Sequence, residues 1–467
     1  MTYAEVLVYL EKSWRFGSRL GLERIRGLCA GLGDPQTRYP VVHVAGTNGK
    51  GSTATMIASI LAASGRRVGI FTSPYLERFT DRIRVLDGPR DLERRLRDSA
   101  CGEITPDEVA TIFSEVVATD RANQAAGAEA ATEFELITAM GLEHFARKAC
   151  DAVVLEVGLG GDLDSTNVIP PPRVAVITAL GYDHQDRLGS TMYDIARAKA
   201  GIIKAGTERV ILYDPNVAAA TAGDAFAILD TVATRASRLG VPLDVVGREL
   251  IRELDSGLGG QCFQLRGLEE PFAMRLVGET QLLNAAVAVH AALAFDPGLG
   301  HRPALHDGLR LACWPGRFEL VARGPDTIVD GAHNPQAIRA LVDSCLKYLD
   351  GRPLVVVNGV LGDKDTRTMA RLFYGDRRLD LRAVIATQPT NPRALPAAAL
   401  ADTIRAHLHD DPARIPVEVL PGSGAALRRA RGLAVAIGEE AAVLCMGSLY
   451  LVSELRPLLL EAADALA

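Results

Sequence analysis

Aromatic side chains are scarce, at 5% of 467 residues, with only two tryptophans. Alanine, leucine, valine and glycine fill their place, a composition that suits helices packed on parallel strands. Cysteine is sparse as well. Cys29, Cys101, Cys150, Cys262, Cys313, Cys345 and Cys445 are odd in number, scattered, and contain no Cys-x-x-Cys pair. That pattern argues against a disulfide framework and a zinc site, and for small buried residues in a reducing compartment. There is no excess of positive charge: the formal net charge is −6, which gives no support to a nucleic-acid surface. An acidic chain can still bind a nucleotide, because the local field at a site outweighs the total. No apolar run is long enough to cross a bilayer. The opening Met-Thr-Tyr-Ala-Glu-Val lacks a basic-then-apolar signal. A cytoplasmic protein with no membrane partner is expected. What the chain does have is 48% apolar residues, enough for real cores, and a length that implies two or three domains.

The most informative stretch is Val41 to Leu61. Val41, Val42 and Val44 read as the end of a buried strand. Gly46-Thr47-Asn48-Gly49-Lys50-Gly51-Ser52 follows, and then an apolar helical pattern begins. A strand that breaks through glycines into a helix aims backbone N–H groups and the positive end of the helix dipole at one place. This reads as a phosphate cradle, in which Lys50 would reach the outer phosphates and Ser52 would ligate magnesium. The common P-loop pattern has four residues between its first glycine and the Gly-Lys pair. Here Thr47 and Asn48 alone intervene, and Gly51 separates Lys50 from Ser52. A second constellation, Val153 to Gly161, is a buried strand run ending in Glu156 and then glycines. A carboxylate at a strand tip beside such a loop is the usual place for a magnesium ligand.

Gly-Thr-Asn-Gly-Lys-Gly-Ser resembles the nucleotide loop of the Mur ligase superfamily, and its folate branch in particular, the folylpolyglutamate and dihydrofolate synthases. The resemblance extends over nearly the whole chain. The Gly-Leu-x-Arg helix start at Leu20–Ile25 is similar to one that precedes the family's nucleotide strand. Thr72-Ser73-Pro74-Tyr75-Leu76 resembles the family's Ser-Pro-His-Leu, whose serine helps hold magnesium, and Arg82-Ile83 resembles its Glu-Arg-Ile; Tyr75 stands where the histidine would be. Thr132-Glu133-Phe134-Glu135 opens a helix and resembles Thr-x-Phe-Glu. Gly160 to Asn167 resembles a loop that contacts the pterin, which implies substrate contacts by Asp164 and Ser165, as Tyr75, Arg82 and Thr132 are also implied to make; Asp162 replaces an arginine there. Asp183-His184 resembles a pair whose histidine serves a second magnesium. Ile195 to Lys204 resembles the segment whose lysine is carbamylated, here Lys199, with Ala198 for a glutamate. In Gly278 to Ala285, Asn284 matches a residue turned towards adenine, and Thr280 replaces a histidine. Arg317 matches an arginine on the ATP phosphates. Asp330-Gly-Ala-His333-Asn-Pro, Asp363-Lys-Asp and Gly447-Ser-Leu-Tyr complete the pattern.

The resemblance implies an α/β fold. A mostly parallel P-loop sheet flanked by helices, 1–298, precedes a smaller Rossmann-like α/β domain, 299–467, with a hinge about 296–315. It implies an ATP-dependent ligase adding L-glutamate to a folate, to dihydropteroate, or to both, through an acyl phosphate, with Lys50, His184 and Lys199 as catalytic groups. Magnesium would rest on Ser52, Ser73, Glu156 and His184. A monomer is expected. The alternatives are a ligase of the same architecture acting on another acid, favoured by Tyr75, Asp162 and Thr280, and an ATPase switch or binding module.

Overall fold

The computed structural model describes residues 1–13, 21–301, 303–410 and 414–464, so Leu20 of the expected Leu20–Ile25 helix start lies outside the described residues. The chain forms two compact units. The first comprises Met1–Arg252, Phe263–Met274 and Leu283–Cys313, and the second Glu253–Cys262, Arg275–Leu282 and Trp314–Ala467.

The first unit holds a seven-stranded sheet of β1 (Val41–Ala45), β2 (Arg67–Phe71), β3 (Ile83–Asp87), β4 (Ala152–Glu156), β5 (Val174–Ile177), β6 (Arg209–Tyr213) and β7 (Leu243–Val246). Their order is β3-β2-β4-β1-β5-β6-β7. Every pair is parallel except β2 with β3. Strands β1, β4 and β5 are buried along their whole length, because helices cover both faces; that is why they read as continuous apolar runs rather than alternating ones. Register pairs Val44 with Glu156 and Ala45 with Ile177. The carboxyl ends of three adjacent strands therefore lie level, and the loops leaving them emerge side by side, where open α/β sheets bind ligands.

The helix after β1, Lys50–Ala63, is buried from Gly51 to Ala62, as a helix with small or apolar side chains all round can be. One element against it is the helix Ala304–Leu311. A Cβ at Gly308 would sit 2.7 Å from the Ser59 carbonyl oxygen, so glycine is what lets the two backbones meet. This packing keeps residues 304–311 with the first unit, although they follow the 298/299 division read from the sequence.

Residues 251–274 form a three-stranded sheet that the sequence had not resolved beyond alternating segments: β8 (Ile251–Gly257), β9 (Gly260–Leu265) and β10 (Phe272–Met274), in the order β10-β9-β8. The second unit is built on β11 (Glu319–Ala322), β12 (Asp326–Asp330), β13 (Leu354–Asn358), β14 (Leu381–Gln388), β15 (Val417–Gly422) and β16 (Ala442–Met446), ordered β11-β12-β16-β13-β14-β15. All its pairs are parallel except β11 with β12. Among the described residues no helix is long and apolar enough to cross a membrane, and all seven cysteines are free thiols, five of them buried.

Candidate functional site

Gly49 takes a left-handed φ of 84° at the start of the helix Lys50–Ala63, and a Cβ there would lie 2.5 Å from Asn284 Oδ1. Asn284 is thus packed against the cradle turn, and glycine is required both by conformation and by space. The turn is fastened from below by the tip of β5. Thr47 N and Asn48 N both donate to Ala179 O, at 2.9 and 3.1 Å. The Thr47 hydroxyl donates to Gly181 O (3.0 Å) and accepts from Gly181 N (3.1 Å). Thr178, buried, donates its hydroxyl to Asn48 O at 2.8 Å, and Lys199 Nζ donates to Gly46 O at 2.8 Å. Lys50 Nζ folds back on Thr47 O at 3.2 Å.

This narrows which N–H groups can be the several expected to point at one spot. Those of Thr47 and Asn48 are spent on Ala179, which leaves Lys50, Gly51 and Ser52, the first residues of the helix, whose N–H groups have no partner within it. Thr178 and the Ala179 carbonyl were missed from the sequence. The signal was a lone threonine at the tip of an otherwise apolar strand.

Lys199 is buried, and its pKa is pushed down to about 7 by burial and then by the neighbouring charge of Lys50, against the pull of Asp183 and Asp164. An amine near neutrality exchanges its proton readily and is nucleophilic when neutral.

At the next tip, Glu156 is buried at the end of β4 and accepts a 3.2 Å hydrogen bond from Ser73 N, in the loop after β2. A carboxylate with serine hydroxyls is a hard oxygen donor set, and it fits magnesium. Among the described residues no three His, Cys, Asp or Glu side chains converge as a metal cage. Magnesium seldom needs one, since it commonly keeps waters and phosphate oxygens and takes only one or two protein carboxylates. Further along the same loop, the Arg82 guanidinium lies 4.9 Å from the Tyr75 ring centroid and 5.8 Å from that of Phe79. Asp81 Oδ2 accepts from the N–H groups of Leu76, Glu77 and Arg78, at 3.0, 3.0 and 3.3 Å, and so fixes the turn that presents the pair.

The loop after β4 is shaped by its own side chains. Asp164 is buried; it accepts from Leu159 N (2.8 Å), Thr166 N (3.0 Å) and the Thr166 hydroxyl (2.5 Å). Burial raises its pKa, and these donors oppose the rise. Asn167 donates to Asp162 O (2.9 Å), and Lys204 Nζ donates to Asn167 O (2.8 Å) and Ile169 O (2.6 Å). Ser165 is buried, whereas the Asp162 side chain is exposed. Phe134 presses on the loop: a Cβ at Gly158 would meet its ring at 2.5 Å. Thr132 lies at the start of the helix that carries Phe134, and its hydroxyl is committed to a capping box. It donates to Glu135 Oε2 (2.9 Å) and accepts from Glu135 N (3.3 Å). Arg24 in turn grips both oxygens of Glu135, at 3.1 and 3.0 Å.

His184, beyond the tip of β5, has a left-handed φ of 53°, and its Nε2 lies 3.8 Å from Asp183 Oδ2. In the second unit, Asp330 accepts from Phe318 N (2.8 Å) and Ala332 N (2.7 Å). Burial raises its pKa against the pull of Arg317. His333 Nδ1 donates to Gly331 O at 2.8 Å. Asn334 caps the following helix, accepting from Ala337 N at 2.8 Å.

Two family models match the chain: the Mur ligase middle domain over residues 105–292 and the Mur ligase glutamate ligase domain over 316–449. Folylpolyglutamate synthase of Lacticaseibacillus casei is 34% identical, across 98% of this chain and 99% of its own length. Among solved structures, Mycobacterium tuberculosis folylpolyglutamate synthase complexed with ADP and AMPPCP superposes with a TM-score of 0.81 at 29% identity, covering 98% of each chain. A bifunctional folylpolyglutamate synthase/dihydrofolate synthase from Yersinia pestis, complexed with AMPPNP and a Mn ion, gives 0.76 at 29% identity, again covering 98% of each chain.

Proposed function

Because this chain belongs to the folylpolyglutamate synthase/dihydrofolate synthase family of Mur ligases, we propose that it uses ATP to join L-glutamate to the carboxylate of a folate or of dihydropteroate. The observation that carries the reading is the level register of β1, β4 and β5, which sets the Lys50 turn beside Glu156 and the substrate loop.

In the first step a carboxylate oxygen of the acid attacks the γ-phosphorus, the bond to the bridging oxygen breaks, and ADP leaves. Lys50 and the N–H groups of Gly51 and Ser52 counter the charge on the phosphates. Asn284, which packs against Gly49, is assigned to the base on the family pattern, since an amide can donate and accept on a base edge at once. In the second step the glutamate amine attacks the acyl carbon, the bond to phosphate breaks, inorganic phosphate leaves, and the nitrogen gives up its proton. Ser52, Ser73, Glu156 and His184 would hold magnesium, which supplies charge neutralisation on the triphosphate. Lys199, close to the cradle and near neutrality, is assigned to the catalytic group in amine or carbamate form. Arg317, Asp330 and His333 of the second unit are assigned to ATP on the family pattern, and Tyr75, Arg82, Asp164 and Ser165 to the acid. A cytoplasmic location fits the seven free cysteines, and a monomer is proposed with it.

The test is a panel of dihydropteroate, reduced folates and unrelated carboxylic acids, each with ATP and glutamate. ADP release that requires both glutamate and a pterin acid is expected. Release that needs neither, or that prefers an unrelated acid, overturns the reading; Tyr75, Asp162 and Thr280 would then be the first positions to examine.

A further inference from the structure

His43 is the central residue of β1, two positions before Ala45, and it is fully buried in a strand whose other members are apolar. Its Nε2 lies 2.8 Å from Thr166 Oγ1. Thr166 Oγ1 in turn lies 2.5 Å from Asp164 Oδ1. The hydroxyl has one proton. Asp164 already receives two backbone N–H groups and acts as an acceptor, so the Thr166 proton points to it. His43 must therefore donate through Nε2–H. Its Nδ1 then carries no proton, and it is buried with no hydrogen-bond partner among the described residues, a costly placement for a polar atom unless the group is needed. Burial, together with the Lys204 charge, lowers the imidazole pKa to about 3 and keeps it neutral.

We propose that His43, through Thr166 and Asp164, is a positioning residue that sets the loop after β4 for the acid substrate, tying that loop to the strand that carries the nucleotide turn. The proposal rests on the ligase reading for its substrate. It rests on geometry alone for the loop. Lys204 holds the far end of the same loop by its bonds to Asn167 O and Ile169 O, so the His43 chain governs the Leu159–Thr166 half.

The experiment uses the full chain and three variants: His43→Leu, His43→Gln, whose amide can still donate to Thr166, and Thr166→Val. Amide exchange is measured first, because it needs no activity. The Leu and Val variants are expected to raise exchange over residues 158–168 about tenfold, the scale of one lost buried hydrogen bond, with β5 and the helix Lys50–Ala63 unchanged. The Gln variant is expected to stay near wild type. In turnover, the Leu and Val variants are expected to raise KM for the acid about tenfold and KM for ATP less than about twofold, and the double variant to be no worse than either single one. Unchanged exchange in the loop, equal rises in both KM values, or a Gln variant as impaired as the Leu variant would overturn the inference. A wild-type protein that turns over no acid would overturn the ligase reading instead, and the exchange result would still decide the loop chain.

Discussion

The turn after β1, proposed for the nucleotide, and the loop after β4, proposed for the acid, leave neighbouring strands at the same level, yet they are held in different ways. In the turn at 46–52 it is mostly the main chain that is gripped: two of its N–H groups reach the Ala179 carbonyl just past β5, and the side chains of Thr178, Lys199 and Lys50 bind its carbonyls. The loop at 158–168 is gripped mainly by its own side chains, Asp164, Thr166 and Asn167, which reach N–H groups, a hydroxyl and a carbonyl, while His43 and Lys204 add bonds from outside it. A main-chain clamp is insensitive to most substitutions and suits an invariant ligand such as a triphosphate. A side-chain clamp can be retuned one residue at a time, which suits the half of a ligase that must choose its acid.

If this contrast is right, the largest effect on chemistry comes from the turn. Lys50→Ala should lower glutamate-dependent ADP release by about 10²-fold to 10³-fold or more, with the thermal midpoint little changed, because its Nζ gives the turn one part-buried bond, to Thr47 O, beside those to Ala179, Thr178 and Lys199. Near-normal turnover would remove Lys50 from the site. The floor of the substrate loop is the next weak point. A Cβ at Gly161 would lie 2.7 Å from Ala198 O and 2.9 Å from Lys199 O, both backbone atoms that cannot step aside. Gly161→Ala should therefore cost about 1–3 kcal/mol of stability, seen in urea unfolding, and it should impair the acid's KM more than that of ATP.

Lys199 links the two regions, and pH is the way to test it. Its folded pKa of about 7 lies below the unfolded value. Between about pH 7 and the usual lysine range near 10.4, the unfolded chain binds the extra proton. Stability from this group therefore rises with pH across that window. The thermal midpoint of wild type minus that of Lys199→Met should climb from pH 7 to 10. A flat difference would mean that the amine keeps its proton when folded.

Much of this contrast was legible in the sequence and part was not. Val41-Val42 and Val153–Leu155 read as buried strands because apolar residues run without alternation, and Gly46, Gly49 and Lys50 marked the turn through their own chemistry. The family pattern then drew attention to Asp330 and His333, which no local period would have singled out. The β8–β10 sheet stayed hidden because its short strands carry no motif and Gly259 and Gly267 punctuate them like loop. Thr178 and His43 were invisible for another reason. Each acts through a partner more than 100 residues away in sequence, and a lone polar residue in an apolar strand does not name its partner. The capping-box reading at Thr132 was legible, since a threonine followed three residues later by glutamate is enough.

Asp162 probes the selective side of the comparison gently. Its main chain is anchored, with N donating to Ala198 O at 2.9 Å, while the side chain is exposed. Asp162→Arg should leave stability within about 0.5 kcal/mol and lower KM for an acidic acceptor by up to about fivefold, the scale of an exposed ion pair. A KM that does not move would place the position away from the acid.

Thr132 separates cap from contact with the smallest expected effect. Both capacities of its hydroxyl are taken up by Glu135, and the residue is buried. Thr132→Ala should lower stability by about 1 kcal/mol, the usual worth of such a cap, and Thr132→Ser should restore it, since serine caps as well. The acid's KM should change less than about twofold in either variant, because Arg24 still holds Glu135 and the helix start stays in place. A tenfold rise in KM for Thr132→Ala alone would instead mean that the hydroxyl leaves its cap when the acid binds. The substrate side of the molecule would then rearrange on binding while the turn beside it does not, a deeper asymmetry than the one argued from the clamps.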